Sequence, residues 1–227
     1  MPYKLSPSAL SLMEDCPRCF WLHYNKDKKR PDTIFPSLPS GMDAILKKHF
    51  DKFMEKGELP PELRENEECD GYKLFDDKDL LSVWRNNFKG VCYEDNHGNI
   101  LHGAIDNILI NKKNKKLIVL DYKTRGFPLK EDTHEHYQNQ LNIYNFLLRQ
   151  NSYDTEDFSY LLFYYPREVT QEGHVMFETR LIKMKTSPKD GEKLWKDALK
   201  LLNGECPKRH EKEPCEWCKL IESEDGE

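Results

Sequence analysis

The chain has 227 residues, 37% of them hydrophobic and 11% aromatic, and a formal net charge of −5. That length and apolar content fit one large domain with a filled core and exclude global disorder. No apolar run reaches the length of a membrane span and the start carries no signal-peptide pattern, so a cytoplasmic protein is expected. Seven cysteines, an odd number for a reducing compartment, speak against a disulfide scaffold. The acidic balance is local. Ten acids and four bases fall within 55–79, which leaves the rest of the chain nearly neutral. A polyanion responds to local potential more than to net charge.

In chain order, Ser6-Pro7 reads as a helix start, with Ser6 as N-cap and Pro7 at the first helical position. That helix would turn Leu10, Met13, Phe20 and Trp21 inward and carry Cys16-Pro17-Arg18-Cys19, within it or at a break made by the proline. A loop with three prolines follows, then a helix over 41–56 with Met42, Ile45, Leu46, His49, Phe50 and Phe53 on one broad stripe. Residues 57–79 read as an exposed acidic excursion, and 79–88 as a short helix. A strand begins near Val91, and 96–99 form a turn.

The stretch from Leu101 to Arg125 then stands out. Two apolar runs, 101–110 and 117–121, flank the polar break Asn111-Lys112-Lys113-Asn114-Lys115-Lys116, and together they read as a β-hairpin. Each strand holds one acid among residues expected to be buried, where an unpaired carboxylate is costly. Asp121 and Lys123 are two apart on a strand, so their side chains leave the same face. Asp106, on the partner strand, can come alongside Asp121. Two hard oxygen ligands suit Mg²⁺, which lowers the pKa of bound water, and a lysine can hold that water or neutralise developing charge. Helical spacing then runs from 134 to 150, with Gln140 and Tyr144 near one edge of its apolar stripe. A glutamine there can orient the water or hold a phosphate, and a tyrosine can contact the backbone. Strands at 158–165 and 175–184 and an amphipathic helix at 188–202 complete the body, and 221–227 is an acidic tail.

Near the end, Cys215-Glu216-Trp217-Cys218 repeats the Cys-x-x-Cys spacing of Cys16 and Cys19, with Cys206 nine residues earlier. Two such pairs match a structural Zn²⁺ site or an iron–sulfur cluster. Cys16, Cys19, Cys215 and Cys218 are the expected ligands, with Cys206 in place of Cys19 as the alternative. Such a site would staple the two ends of the domain. Cys69 and Cys92 read as ordinary thiols.

Gly103-Ala104-Ile105-Asp106, Asp121-Tyr122-Lys123 and Gln140-Leu141-Asn142-Ile143-Tyr144 together resemble the PD-(D/E)XK nuclease superfamily. The similarity is greatest to the RecB-like branch with the iron–sulfur CRISPR-adaptation nucleases. It implies an α/β, restriction-endonuclease-like mixed sheet flanked by helices, in a single domain over 1–220. It also implies Mg²⁺- or Mn²⁺-dependent hydrolysis of DNA, single-stranded or at duplex ends. The family's metal acids fall on Asp106 and Asp121, its lysine on Lys123, and its glutamine motif on Gln140 and Tyr144. Its helix-borne histidine points to His49 as a further metal contact, although that residue lies one turn beyond the usual position. Asp43 and Lys47 or Lys48 are further candidates on that helix, and none is assigned. The cysteine pattern departs from the family's usual one N-terminal and three C-terminal cysteines. No Gly-x-x-x-x-Gly-Lys-Ser/Thr occurs, so a helicase motor would be a separate partner, as would a CRISPR or repair protein. The alternative function is a non-catalytic nucleic-acid-binding or assembly module on the same fold.

Overall fold

A computed structural model of the chain describes residues 2–31, 37–209 and 215–224. Of the acidic tail expected at 221–227, residues 221–224 belong to the last helix and 225–227 lie outside the described residues.

The first strand, β1 (Lys4–Leu5), leads into α1 (Pro7–Asp15) and α2 (Pro17–Lys26). Of the two possibilities at the proline, the break is the one observed, and the segment forms two helices. Cys16 is extended, with φ −154° and ψ 101°, because a residue before proline is pushed out of the helical region. The Ser6 hydroxyl accepts from Ala9 N at 3.3 Å and caps α1. The Cys16 thiol accepts from Cys19 N at 3.4 Å and caps α2. Leu10, Met13 and Phe20 are buried as expected. Trp21 is only half-buried, and its Nε1 donates to Gly204 O at 3.1 Å. Restarting the helix at Pro17 rotates the following residues, and Leu22 takes the buried place.

Helix α3 (Ser37–Lys56) begins earlier than the periodicity suggests, and its buried line is the narrower Leu46, Phe50 and Met54. Ile45, expected on that stripe, is 63% exposed. Segment 57–79 is not an exposed excursion. It forms α4 (Pro61–Arg64), a 3₁₀ turn at Glu67–Cys69 and β2 (Tyr72–Leu74). Most of its acids face water, Glu62 being the exception against His49 and Tyr164, while Leu63 and Cys69 are fully buried and β2 pairs antiparallel with an interior strand of the sheet. The charge count hid a sparse apolar set that is sufficient to fold the segment back.

After α5 (Lys78–Trp84) come β3 (Val91–Glu94), β4 (Ile100–Gly103), β5 (Asn107–Asn111) and β6 (Leu117–Thr124). Then follow α6 (Gln138–Gln150), β7 (Phe158–Val169), β8 (Val175–Lys185), α7 (Pro188–Leu202) and α8 (Glu216–Glu224). The strands form a three-stranded sheet, β1-β4-β3, and a five-stranded mixed sheet, β2-β5-β6-β7-β8. Strands β5 and β6 are the expected hairpin, turning through 112–116. Strands β6 and β7 are parallel, and α6 supplies the crossover that parallel pairing requires.

Leu117 to Tyr122 are all buried, as a strand covered on both faces should be. Helix α3 covers β6, with the Phe50 and Tyr122 rings 4.7 Å apart. Helix α6 packs on β3, β4 and α7. Its contact with α7 is close: a Cβ on Gly191 would lie 2.6 Å from Asn142 O. The buried amides of α6 tie it to its neighbours, although Asn145 Oδ1 has no hydrogen-bond partner among the described residues. Asn142 Oδ1 accepts from Ser187 N at 2.9 Å, and Asn145 Nδ2 donates to Ser159 Oγ at 2.8 Å. No helix among the described residues is long and apolar enough to cross a membrane.

Candidate active site

The apolar run 101–110 is not one strand. Strand β4 ends at Gly103 and β5 starts at Asn107, so 104–106 cross from one sheet to the other. Asp106 therefore sits in a connection just ahead of β5, not within a strand as the alternation suggests. Two bonds pin this connection: Ile105 N donates to Trp84 O at 2.9 Å, and Arg85 Nε donates to Asp106 O at 2.7 Å. Arg85 is in turn held by Asp51 at 2.7 Å.

Asn107 pairs with Leu120, so extending the antiparallel register by one residue sets Asp106 opposite Asp121. Asp106 Oδ2 accepts from Tyr122 N at 3.0 Å. Its other oxygen faces Lys47 Nζ of α3 at 3.1 Å, and Lys47 also meets Asp43 at 2.8 Å. Burial pulls the Lys47 ammonium down, but Asp106 and Asp43 outweigh it and hold the group above its usual range.

Asp121 is 1% exposed. Its Oδ2 forms an ion pair with Lys123 Nζ. Burial pushes the Asp121 carboxyl up to about 6, Lys123 opposes the shift, and the nearby Asp106 charge adds to it. Burial also works against the Lys123 ammonium, but Asp121 more than offsets it and the net shift is upward.

Lys123 donates to Gln140 Oε1 at 3.0 Å and lies 4.6 Å from the centre of the Tyr137 ring. Gln140 Nε2 donates to Tyr144 OH at 2.7 Å and stands 3.4 Å from Asp121 Oδ1. These residues face a cleft of about 410 Å³ lined also by Ser6, Ser8, His102 and Gly103. Gly103 has a steric reason: a Cβ there would lie 2.7 Å from Tyr144 Cε1. Only a bare backbone lets α6 bring its tyrosine this close to β4.

Asp106, Asp121, Lys123, Gln140 and Tyr144 thus line one cleft. His49 is not among the residues that line it. Its Nε2 meets Glu62 at 3.1 Å, and its ring packs on Phe50 and Phe53. Helical geometry explains this: at 100° per residue, α3 cannot turn both Lys47 and His49 toward Asp106. Arg85 and Asp51 escaped sequence reasoning, because a side chain that reaches a backbone carbonyl leaves no motif. Lys47 shared its helix with other candidates, and no spacing rule could single it out.

The donor set fits a divalent ion. Two carboxylates line the same cleft, and hard cations of this kind take one or two carboxylates plus waters.

A second cluster lies elsewhere. The thiols of Cys16, Cys19, Cys215 and Cys218 all fall within 4.8 Å of one another. Cys206 stays outside, with its Sγ 3.3 Å from Arg18 Nη1. Cys69 is buried and Cys92 exposed, both apart from the cluster.

No curated protein matches the chain at a significant level. The family model described as the PD-(D/E)XK nuclease superfamily matches residues 46–223. The match spans both acids, the lysine, the Gln140–Tyr144 pair and the C-terminal cysteines. With this match over most of its length, the chain belongs to the PD-(D/E)XK nuclease superfamily.

Proposed function

We propose that this cleft hydrolyses phosphodiester bonds in DNA and uses Mg²⁺ or Mn²⁺ to do so. The observation that carries the reading is the convergence of Asp106, Asp121 and Lys123, from a sheet crossover and a buried strand, in one open cleft. A bound divalent ion would supply Lewis acidity toward a phosphate oxygen and a lowered water pKa. Asp106 and Asp121 would hold it. Lys123, fixed between Asp121, Gln140 and the Tyr137 ring, presents its ammonium where a phosphate would lie and neutralises charge developing there. Gln140 anchors that lysine through Oε1 and Tyr144 through Nε2, so the strand lysine and the helix move as one unit. Lys47 balances Asp106 until a cation takes its place.

The test is cleavage of single-stranded and duplex DNA with Mg²⁺, with Mn²⁺ and with EDTA. Metal-dependent cleavage that disappears in Asp121→Ala and Lys123→Ala supports the reading, and full activity in Lys123→Ala rejects it. One observation favours a second reading. Both acids already have an ammonium partner, as a non-catalytic nucleic-acid-binding or assembly module would tolerate. DNA binding without cleavage under any metal condition would select that alternative.

A further inference from the structure

We propose that Cys16, Cys19, Cys215 and Cys218 hold a single zinc ion, in a redox-inert clasp that ties α2 to α8, and not a four-iron cluster. The sulfurs are spaced for a single ion. Cys16 Sγ lies 3.6 Å from Cys218 Sγ, and Cys19 Sγ lies 3.3 Å from Cys218 Sγ and 3.7 Å from Cys215 Sγ. No pair of the four exceeds 4.8 Å. Thiolates arranged tetrahedrally at about 2.3 Å from one zinc ion stand about 3.8 Å apart. In a four-iron cluster each thiolate binds a different iron, and the irons and bridging sulfides occupy the space between. Four sulfurs this close enclose room for one ion and no such core.

The surroundings suit a doubly charged tetrathiolate. Cys16 and Cys19 lie at the N-terminus of α2 and Cys215 and Cys218 at that of α8, where the helix dipole favours thiolate. The Arg30 guanidinium donates to Cys215 Sγ at 3.5 Å and is fixed by Asp15 at 2.6 Å, an outer contact that offsets the site's charge. Cys206 is turned to Arg18 and takes no part. Two Cys-x-x-Cys pairs are the usual grammar of a zinc site, here split between the two ends of the chain. None of the four cysteines lines the cleft.

The experiment is elemental and acid-labile sulfide analysis of the full chain, made in iron-supplemented cells and purified without oxygen. Expected are one zinc per chain, no sulfide and a colourless protein. Asp121→Asn and Cys206→Ser should each keep one zinc, which separates the clasp from the cleft and from the fifth thiol. Cobalt exchange should give the strong visible absorbance of a tetrahedral thiolate site. Iron with sulfide in a brown protein overturns the proposal. So does a chain that retains neither zinc nor cobalt. Because the readout is metal content, loss of DNA cleavage would leave this result standing, and the reverse holds too.

Discussion

At the scale of single residues, Asp121 sets the terms. A carboxylate this buried is tolerated because Lys123 lies against it and Gln140 stands nearby. Replacing Lys123 or Asp121 with alanine should cut DNA cleavage by at least about 10²-fold, the scale for one charge-stabilising group. Circular dichroism should show the fold retained. The raised carboxyl also has a pH consequence. Its folded value, about 6, lies above its ordinary 3.8. The folded chain therefore holds a proton that the unfolded chain has released. The resulting stability is fully present below the ordinary value and is lost as pH rises through about 6. Without added divalent ions, wild type should lose melting temperature relative to Asp121→Asn between pH 5 and 7. A constant difference would contradict the shift. Protons compete with metal for the same oxygens, so Mn²⁺ affinity should rise over the same interval. Gly103 makes a steric prediction. A methyl group there meets the Tyr144 ring, so Gly103→Ala should cost about 1–3 kcal/mol by urea denaturation.

At the scale of elements, the crossover between the two sheets and helix α3 decide what reaches Asp106. Arg85, from the end of α5, holds the crossover by its backbone, and Asp51 of α3 holds Arg85. Asp51 is partly exposed, so the ion pair is worth less than a fully buried one. Arg85→Ala should still lower kcat for cleavage more than it raises KM, because it frees the carbonyl of Asp106, the proposed metal ligand. Lys47 acts from the same helix. Its ammonium stands 3.1 Å from Asp106 Oδ1 and repels an incoming cation. At a separation near 4 Å and an effective dielectric of about 20, one unit charge is worth about 4 kcal/mol before solvent relaxes it. Lys47→Met should therefore tighten Mn²⁺ binding by at least about tenfold in a calorimetric titration, while Lys48→Met should leave it unchanged.

At the scale of the whole molecule, two long-range connections hold the layers together. One is the α6 crossover that places β6 and β7 side by side and brings the glutamine and tyrosine to the strand that carries Asp121 and Lys123. The other is the thiol cluster, which joins positions about two hundred residues apart. Closing so long a loop restricts the unfolded chain by a few kcal/mol, by analogy with other cross-links. For a chain of this size, removing the clasp should lower the melting temperature by on the order of 10 °C. Cys218→Ser, or a strong chelator, should give this drop and open the C-terminal helix to limited proteolysis. Cys206→Ser should do neither.

Features under local geometric control were legible along the chain. The period of a strand turns Asp121 and Lys123 to one face, and the pitch of a helix sets Gln140 and Tyr144 one turn apart. The polar run at 111–116 marks the hairpin turn, and paired Cys-x-x-Cys spacings mark the four thiols that cluster. Tertiary structure alone decided the rest. That 101–110 breaks at Gly103 depends on a second sheet, which alternation along the chain does not reveal. That Lys47 and not His49 meets Asp106 depends on the rotation of α3 against β6, set by Leu46, Phe50 and Met54. That acidic residues 57–79 contribute an edge strand depends on a few apolar side chains finding the sheet. Periodicity reports which way a side chain leaves its own backbone; which neighbour it meets there is fixed by packing between segments far apart in the chain.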